Sequence, residues 1–171
     1  HKDKNLYVNL FIPSTLDWNG TMIEQQTAFP EEEGTTLVVS PEMGKKAFAM
    51  HVRIPKWADK SLVRVTVNGE QQNLDIKDGY AVVNRTWKKG DKLHIAMPMH
   101  LYTIGLPDGS ANYSFMYGPV VLASSLGKQQ QDGMYADDSR GGHIANGPRW
   151  SLQNMPVIVG DKDKVIEKIQ K

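Results

Sequence analysis

Apolar and polar residues alternate along much of this chain. Phe48, Met50, Val52 and Ile54 fall on one side of an extended backbone, with Ala49, His51 and Arg53 on the other. Val63, Val65 and Val67 repeat the pattern against Arg64 and Thr66, and Leu93, Ile95 and Met97 against Lys92, His94 and Ala96. Leu6, Val8, Leu10 and Ile12 form an earlier row. A period of two with one apolar face belongs to antiparallel sheets packed on a single core. Turn signals separate the rows. Asn68-Gly69 is the strongest, because a two-residue hairpin turn favours residues that tolerate positive φ. Asn19-Gly20, Asp78-Gly79, Lys89-Gly90-Asp91 and Asp108-Gly109 mark further reversals, at the spacing expected of a sandwich or barrel. The prediction is an all-β, jelly-roll-like antiparallel β-sandwich over residues 1–126. It should enclose Leu10, Phe48, Val52, Ile54, Val65, Val67, Val83, Leu93, Ile95 and Val121, with few helical residues before Gly127.

After Ser125 the texture changes. Gly127 to Pro148 is polar and glycine-rich and reads as one long loop, a length that is usually functional or disordered. Residues 127–171 are therefore expected to be a loop plus a short C-terminal extension. Val157–Val159 offers a short strand. Beyond it Asp161 or Asp163 can cap a helical turn or two, with Val165, Ile166 and Ile169 as a small apolar stripe.

Composition narrows the chemistry. The 171 residues contain no cysteine, which removes a disulfide framework, a thiol nucleophile and a cysteine-held zinc. With 20 Lys+Arg against 19 Asp+Glu there is no polyanion-binding footprint, and nucleic acid is not an expected partner. The Lys88–Lys89 pair reads as a solvated turn. No apolar run approaches the roughly 20 residues needed to cross a bilayer, so no membrane partner is expected. The opening HKDKNLYVNLF resembles mid-protein sequence, so a piece of a longer polypeptide is expected.

Candidate binding residues are few. Trp57, after Ile54-Pro55, and Trp87, in RTWKKGD, each carry two readings: a residue of the sandwich core, or an indole face on which a sugar stacks. Trp18 and Trp150 lie in loop-like contexts where exposure is expected. Glu31-Glu32-Glu33 lacks the alternating oxygen spacing of a calcium loop and reads as a solvated turn. Asp137, Asp138, Ser139, Arg140 and His143 are the densest polar group. A Ser/His/Asp catalytic reading fails for want of a rigid scaffold and an oxyanion site. An Asp–Arg pair that folds the loop, or docks it on another domain, is the better reading.

The ordered motifs LYVNLFIPSTLDW, QQTAFPEEEG, AFAMHVRIPKWA, VTVNGE, DGYAVVNRTWKKGDKL, MPM and YGPVVLA, from about Asn5 to Ala123, resemble the C-terminal β-sandwich of the β-L-arabinofuranosidase glycoside hydrolases. That group is glycoside hydrolase family 127 and its relatives, long listed as a domain of unknown function. ADDSRGGHIANGP resembles a further C-terminal segment of Bacteroides-type members. The resemblance implies a retaining glycosidase, periplasmic or secreted, whose cysteine nucleophile, zinc site and acidic proton donor lie in an upstream (α/α) barrel. None of those residues maps here, so no catalytic residue, metal or cofactor is expected in this chain. The expected function is a non-catalytic accessory domain supporting that barrel. A stand-alone carbohydrate-binding module and a self-contained enzyme are the alternatives.

Overall fold

The structure, a computed structural model, describes residues 5–123 and 160–169. Thirteen strands and one short helix fall in that range: β1 Leu6–Val8, β2 Ser14–Asp17, β3 Thr21–Gln26, β4 Gly34–Pro41, β5 Lys45–Arg53, β6 Arg64–Val67, β7 Glu70–Gln71, β8 Asp75–Lys77, β9 Tyr80–Lys88, β10 Asp91–Ala96, β11 Leu101–Gly105, β12 Tyr113–Tyr117, β13 Val120–Val121 and α1 Lys162–Ile166. Among the described residues no helix precedes α1 and none is long and apolar enough to cross a membrane. The all-β expectation holds.

Contacts divide the chain into two compact units: His1–Tyr102 with Met116–Val120, and Thr103–Phe115 with Val121–Lys171. The division falls earlier than the change of texture at Ser125. The first unit is the sandwich. One sheet has the order β1-β5-β9-β8 and the other β2-β3-β4-β10-β6-β7. Their inward rows meet in a single core. Phe48, Met50, Val52, Ala81 and Val83 come from one sheet; Ile23, Leu37, Val39, Val65, Val67, Leu93 and Ile95 come from the other. The in-and-out alternation of the sequence is reproduced in both sheets, with buried residues at every second position along β10 in one and from Phe48 to Val52 in β5 of the other. One pairing departs from an all-antiparallel sheet: β1 runs parallel to β5, with Leu6 beside Met50 and Val8 beside Val52.

The turns follow the sequence signals. Asn68 and Gly69 both have positive φ (53° and 84°) between β6 and β7. Gly90 (φ 86°) turns β9 into β10, where the chain passes from one sheet to the other. Asp91 fixes that crossing. Its buried carboxylate accepts from Asn68 Nδ2 and from the Lys88 N–H, both at 2.9 Å, and Arg85 lies 3.5 Å away. Lys92 N–H donates in turn to Asn68 Oδ1 at 2.9 Å, tying two hairpin turns together. Burial alone would raise the Asp91 carboxyl; the bonds from Asn68 and Lys88 and the charges of Arg85 and Lys88 outweigh it and hold it below the ordinary carboxylate range. Gly34 serves a different need, since a Cβ there would sit 2.5 Å from the Ile95 carbonyl oxygen where β4 pairs with β10.

Four expectations about burial are corrected. Leu10 and Ile12 do not continue the buried row of Leu6 and Val8, and both are exposed. The strand stops at Val8, and Asn9–Pro13 carries the chain across to the other sheet, with Pro13 unable to donate to a ladder. Val121 is exposed because it lies not in the sandwich but in β13, at the edge of a three-stranded sheet of order β11-β12-β13. Trp18 is buried rather than exposed. It packs edge-on against Phe48 (5.1 Å between ring centroids), with the Lys46 ammonium 5.0 Å above its ring. In the second unit, Asp161 caps α1 by accepting from the N–H groups of Asp163 and Lys164. Lys162 lies over the Tyr113 ring at 5.1 Å.

Candidate functional site

The sandwich is closed along most of its length but open on one side. There β1 ends one sheet and β2 ends the other, and a groove of about 260 Å³ runs between the two edges. Six of its ten described lining residues are aliphatic. Leu6, Val8 and Leu10 lie on the β1 side; Leu16, Ile23 and Leu37 lie on the other. Leu16 stands directly across from buried Ile23 in the β2–β3 ladder, so it faces inward. It is nevertheless 44% exposed, and Leu10 is 64% exposed. Leu16 belongs to the core face by register yet has no layer above it.

Two of the polar side chains lining the groove, Gln25 and Asn9, make hydrogen bonds within the sandwich. Gln25 is buried, and its Nε2 donates to the Leu10 carbonyl (3.0 Å) and to Thr35 Oγ1 (3.1 Å). Gln25 thus pins the crossing segment and shapes one wall. On the β1 side, Asn9 Oδ1 accepts from the Tyr80 hydroxyl at 2.8 Å. The Tyr7 ring lies against His51 in the adjacent strand, with centroids 4.3 Å apart and planes 17° from parallel. Tyr80 meets Tyr7 edge-on at 5.4 Å and His51 at 6.3 Å. Packed this way, His51 Nε2 is buried with no hydrogen-bond partner among the described residues. That burial lowers the imidazole below its ordinary range, and the nearby positive Lys77 adds to the effect.

Among its described lining residues the groove contains no acid, so no paired acid and base lies along it, and Ser14 and Tyr7 supply its hydroxyls. Among the described residues no group of three or more His, Cys, Asp or Glu is placed to hold a metal ion. What the arrangement offers is apolar contact with a few oriented polar groups at its rim.

The tryptophans singled out in the sequence go to other places. Trp87 is 0% exposed, with Nε1 donating to the Phe48 carbonyl at 3.1 Å, so it presents no face to a sugar. The stacking reading for Trp87 is corrected: its alternation along β9 points it into the core. Trp57 is half-buried beyond the end of β5, with Phe29 stacked on it (6.2 Å, 18°) and Phe11 beyond Phe29. Glu33 is not simply solvated, as the Tyr117 hydroxyl donates to its carboxylate at 2.5 Å. Asp137, Asp138, Arg140 and His143, like Trp150, lie outside the described residues. The groove itself was not foreseen. The available signal was the Pro13 break inside LFIPSTLDW, which splits one apolar row between two sheet edges.

Comparison with known proteins agrees with this architecture. The sequence model described as "Beta-L-arabinofuranosidase, GH127 middle domain" matches residues 5–99, and one described as a domain of unknown function, DUF4986, matches residues 102–171. No curated protein matches the chain. Among solved structures, a GH127 β-L-arabinofuranosidase from Geobacillus stearothermophilus T6 aligns over 71% of this chain and 20% of its own, at 31% identity and a TM-score of 0.62. A protein described as a glycoside hydrolase aligns over 67% and 20%, at 30% identity and a TM-score of 0.57. The GH127 β-arabinofuranosidase BT3674 aligns over 71% and 22%, at 28% identity and a TM-score of 0.59. The chain thus spans about a fifth of the length of these relatives. Since the middle-domain model covers more than half of its residues, the chain belongs to the GH127 β-L-arabinofuranosidase family.

Proposed function

We propose that this chain is a non-catalytic accessory β-sandwich of a larger β-L-arabinofuranosidase-type glycoside hydrolase, supporting a catalytic (α/α) barrel in the same polypeptide. The observation that carries the reading is the match of residues 5–99 to a middle domain of the family, in a chain with no cysteine. Glycoside hydrolysis needs two reacting groups held on either side of a positioned sugar bond. The groove supplies an apolar seat rather than such a pair. On the same reading the polar segment Ala136–Pro148, with Asp138 and Arg140, is a docking element for the catalytic part.

The test is a comparison of the full-length parent with the 171-residue chain on an aryl β-L-arabinofuranoside, with and without added zinc. The parent should release arabinose, and the chain alone should stay at the buffer rate. Turnover that follows the purified chain through a second purification would overturn the non-catalytic assignment. Because Trp57 keeps some exposure, calorimetric binding of arabino-oligosaccharides by the chain alone is the result that would favour a carbohydrate-binding module instead.

A further inference from the structure

We propose that the groove between the β1 and β2 edges is the seat of the domain that precedes this one in the parent polypeptide, filled by apolar side chains of that domain. The inference rests on the reading of the chain as one domain of a larger enzyme, but not on which sugar that enzyme cleaves.

The groove is a part of the core left open. Its floor is made by Leu6, Ile23 and Leu37, all core residues, and its lips by Leu10 and Leu16, which face it and remain largely in water. Elsewhere in the sandwich, inward residues such as Leu93 and Ile95 are fully covered by the opposite sheet. Exposed apolar surface joined to a concavity is where soluble proteins make contacts. Next to it the outer edge of β2 pairs with no strand among the described residues, leaving backbone groups at Ser14–Asp17 open to a partner.

The chemistry of the groove chooses the kind of occupant. A sugar brings hydroxyls that need directional partners, yet the Gln25 amide hydrogens and the Asn9 oxygen are already used within the sandwich. The volume also falls below the roughly 300–1,000 Å³ of typical small-molecule sites. Aliphatic side chains suit it better. The family match supplies a source for such side chains. The matched region is a middle domain, and about four-fifths of each relative's chain lies outside the alignment. Seven of the ten described lining residues fall within residues 6–16, the first stretch of the matched region, so polypeptide arriving from the preceding domain enters beside the groove.

Thiol labelling in the intact parent tests this, using the absence of cysteine from these 171 residues. One variant carries L16C in the groove. The other carries L62C, at a position of matched exposure (47%) in the loop between β5 and β6. Each is labelled with a maleimide and read from the mass of the peptide that contains it. In the native parent L16C should react at least about ten-fold more slowly than L62C, and in urea the two rates should converge. Equal native rates would overturn the proposal. Protection that disappears on dilution to a monomer would also overturn it, in favour of a second copy as occupant. An arabinofuranosidase assay on the same samples separates the two readings. An active parent with L16C freely labelled loses only the docking assignment, whereas a protected but inactive parent loses only the functional one.

Discussion

The middle and the β2 end of the six-stranded sheet teach different things about the same alternating pattern. Along β4, β10 and β6 the inward residues Leu37, Val39, Leu93, Ile95, Val65 and Val67 are essentially dry, because the β5–β9 half of the other sheet lies across them. At β2 the pattern continues through Leu16, but the facing sheet ends at β1 and the side chain stays wet. Periodicity therefore selects a face. Whether that face becomes a core depends on whether a second layer reaches it.

The largest expected effect contrasts these regions directly. Trp87→Ala would empty the centre of the closed region and strand the Phe48 carbonyl, and should cost about 3–5 kcal/mol in urea unfolding of the chain. Leu10→Ala at the open side should stay within about 0.5 kcal/mol. Similar costs at the two positions would erase the distinction between a closed and an open side.

A smaller effect is expected at the crossing between the sheets. Asp91→Ala leaves Asn68 Nδ2 and the Lys88 N–H without their acceptor and should cost about 1–3 kcal/mol. Because the Asp91 carboxyl is lowered in the fold, its contribution is complete above the ordinary carboxylate range and lost as pH falls through the lowered value. Urea midpoints measured from neutral pH to pH 3 should therefore decline less steeply in Asp91→Asn than in the parent sequence. An identical decline would show that Asp91 is not the group that matters there.

His51 gives the smallest expected effect, with the same sign for a different reason. Its imidazole is lowered by burial and by Lys77, so the fold favours the neutral ring. Between the ordinary imidazole value, near 6.5, and the lowered one, the unfolded chain binds more protons than the folded chain, and stability drops as pH falls. His51→Gln should flatten the change in urea midpoint between pH 7.5 and 5.5. An unchanged slope would argue against a buried, neutral His51 beside Tyr7 and Tyr80.

Much of the fold was legible in the sequence because strand alternation and turn chemistry are local signals. The positive-φ pair Asn68-Gly69 and the inward rows of β5, β6 and β10 needed nothing beyond neighbouring residues. Trp18 and Trp87 were harder to place, because an indole looks alike in sequence whether it fills a core or faces a sugar. For Trp87 the register of β9 decides, and for Trp18 the packing of Phe48 and Lys46 does. The groove was not legible because it depends on which two strands end their sheets, a long-range property. The parallel pairing of β1 with β5, residues more than forty positions apart, is what places one of those ends.

The central claim is that the β1/β2 side is a core surface completed by the rest of the parent enzyme. Hydrogen–deuterium exchange on the intact parent tests it most directly, comparing the segment Leu10–Asp17 with Lys92–Ala96 of β10 in the closed region. Slow exchange is expected in both segments, with the edge segment protected despite its exposure in the sandwich alone. Rapid exchange across Leu10–Asp17 alongside slow exchange across Lys92–Ala96 would contradict it.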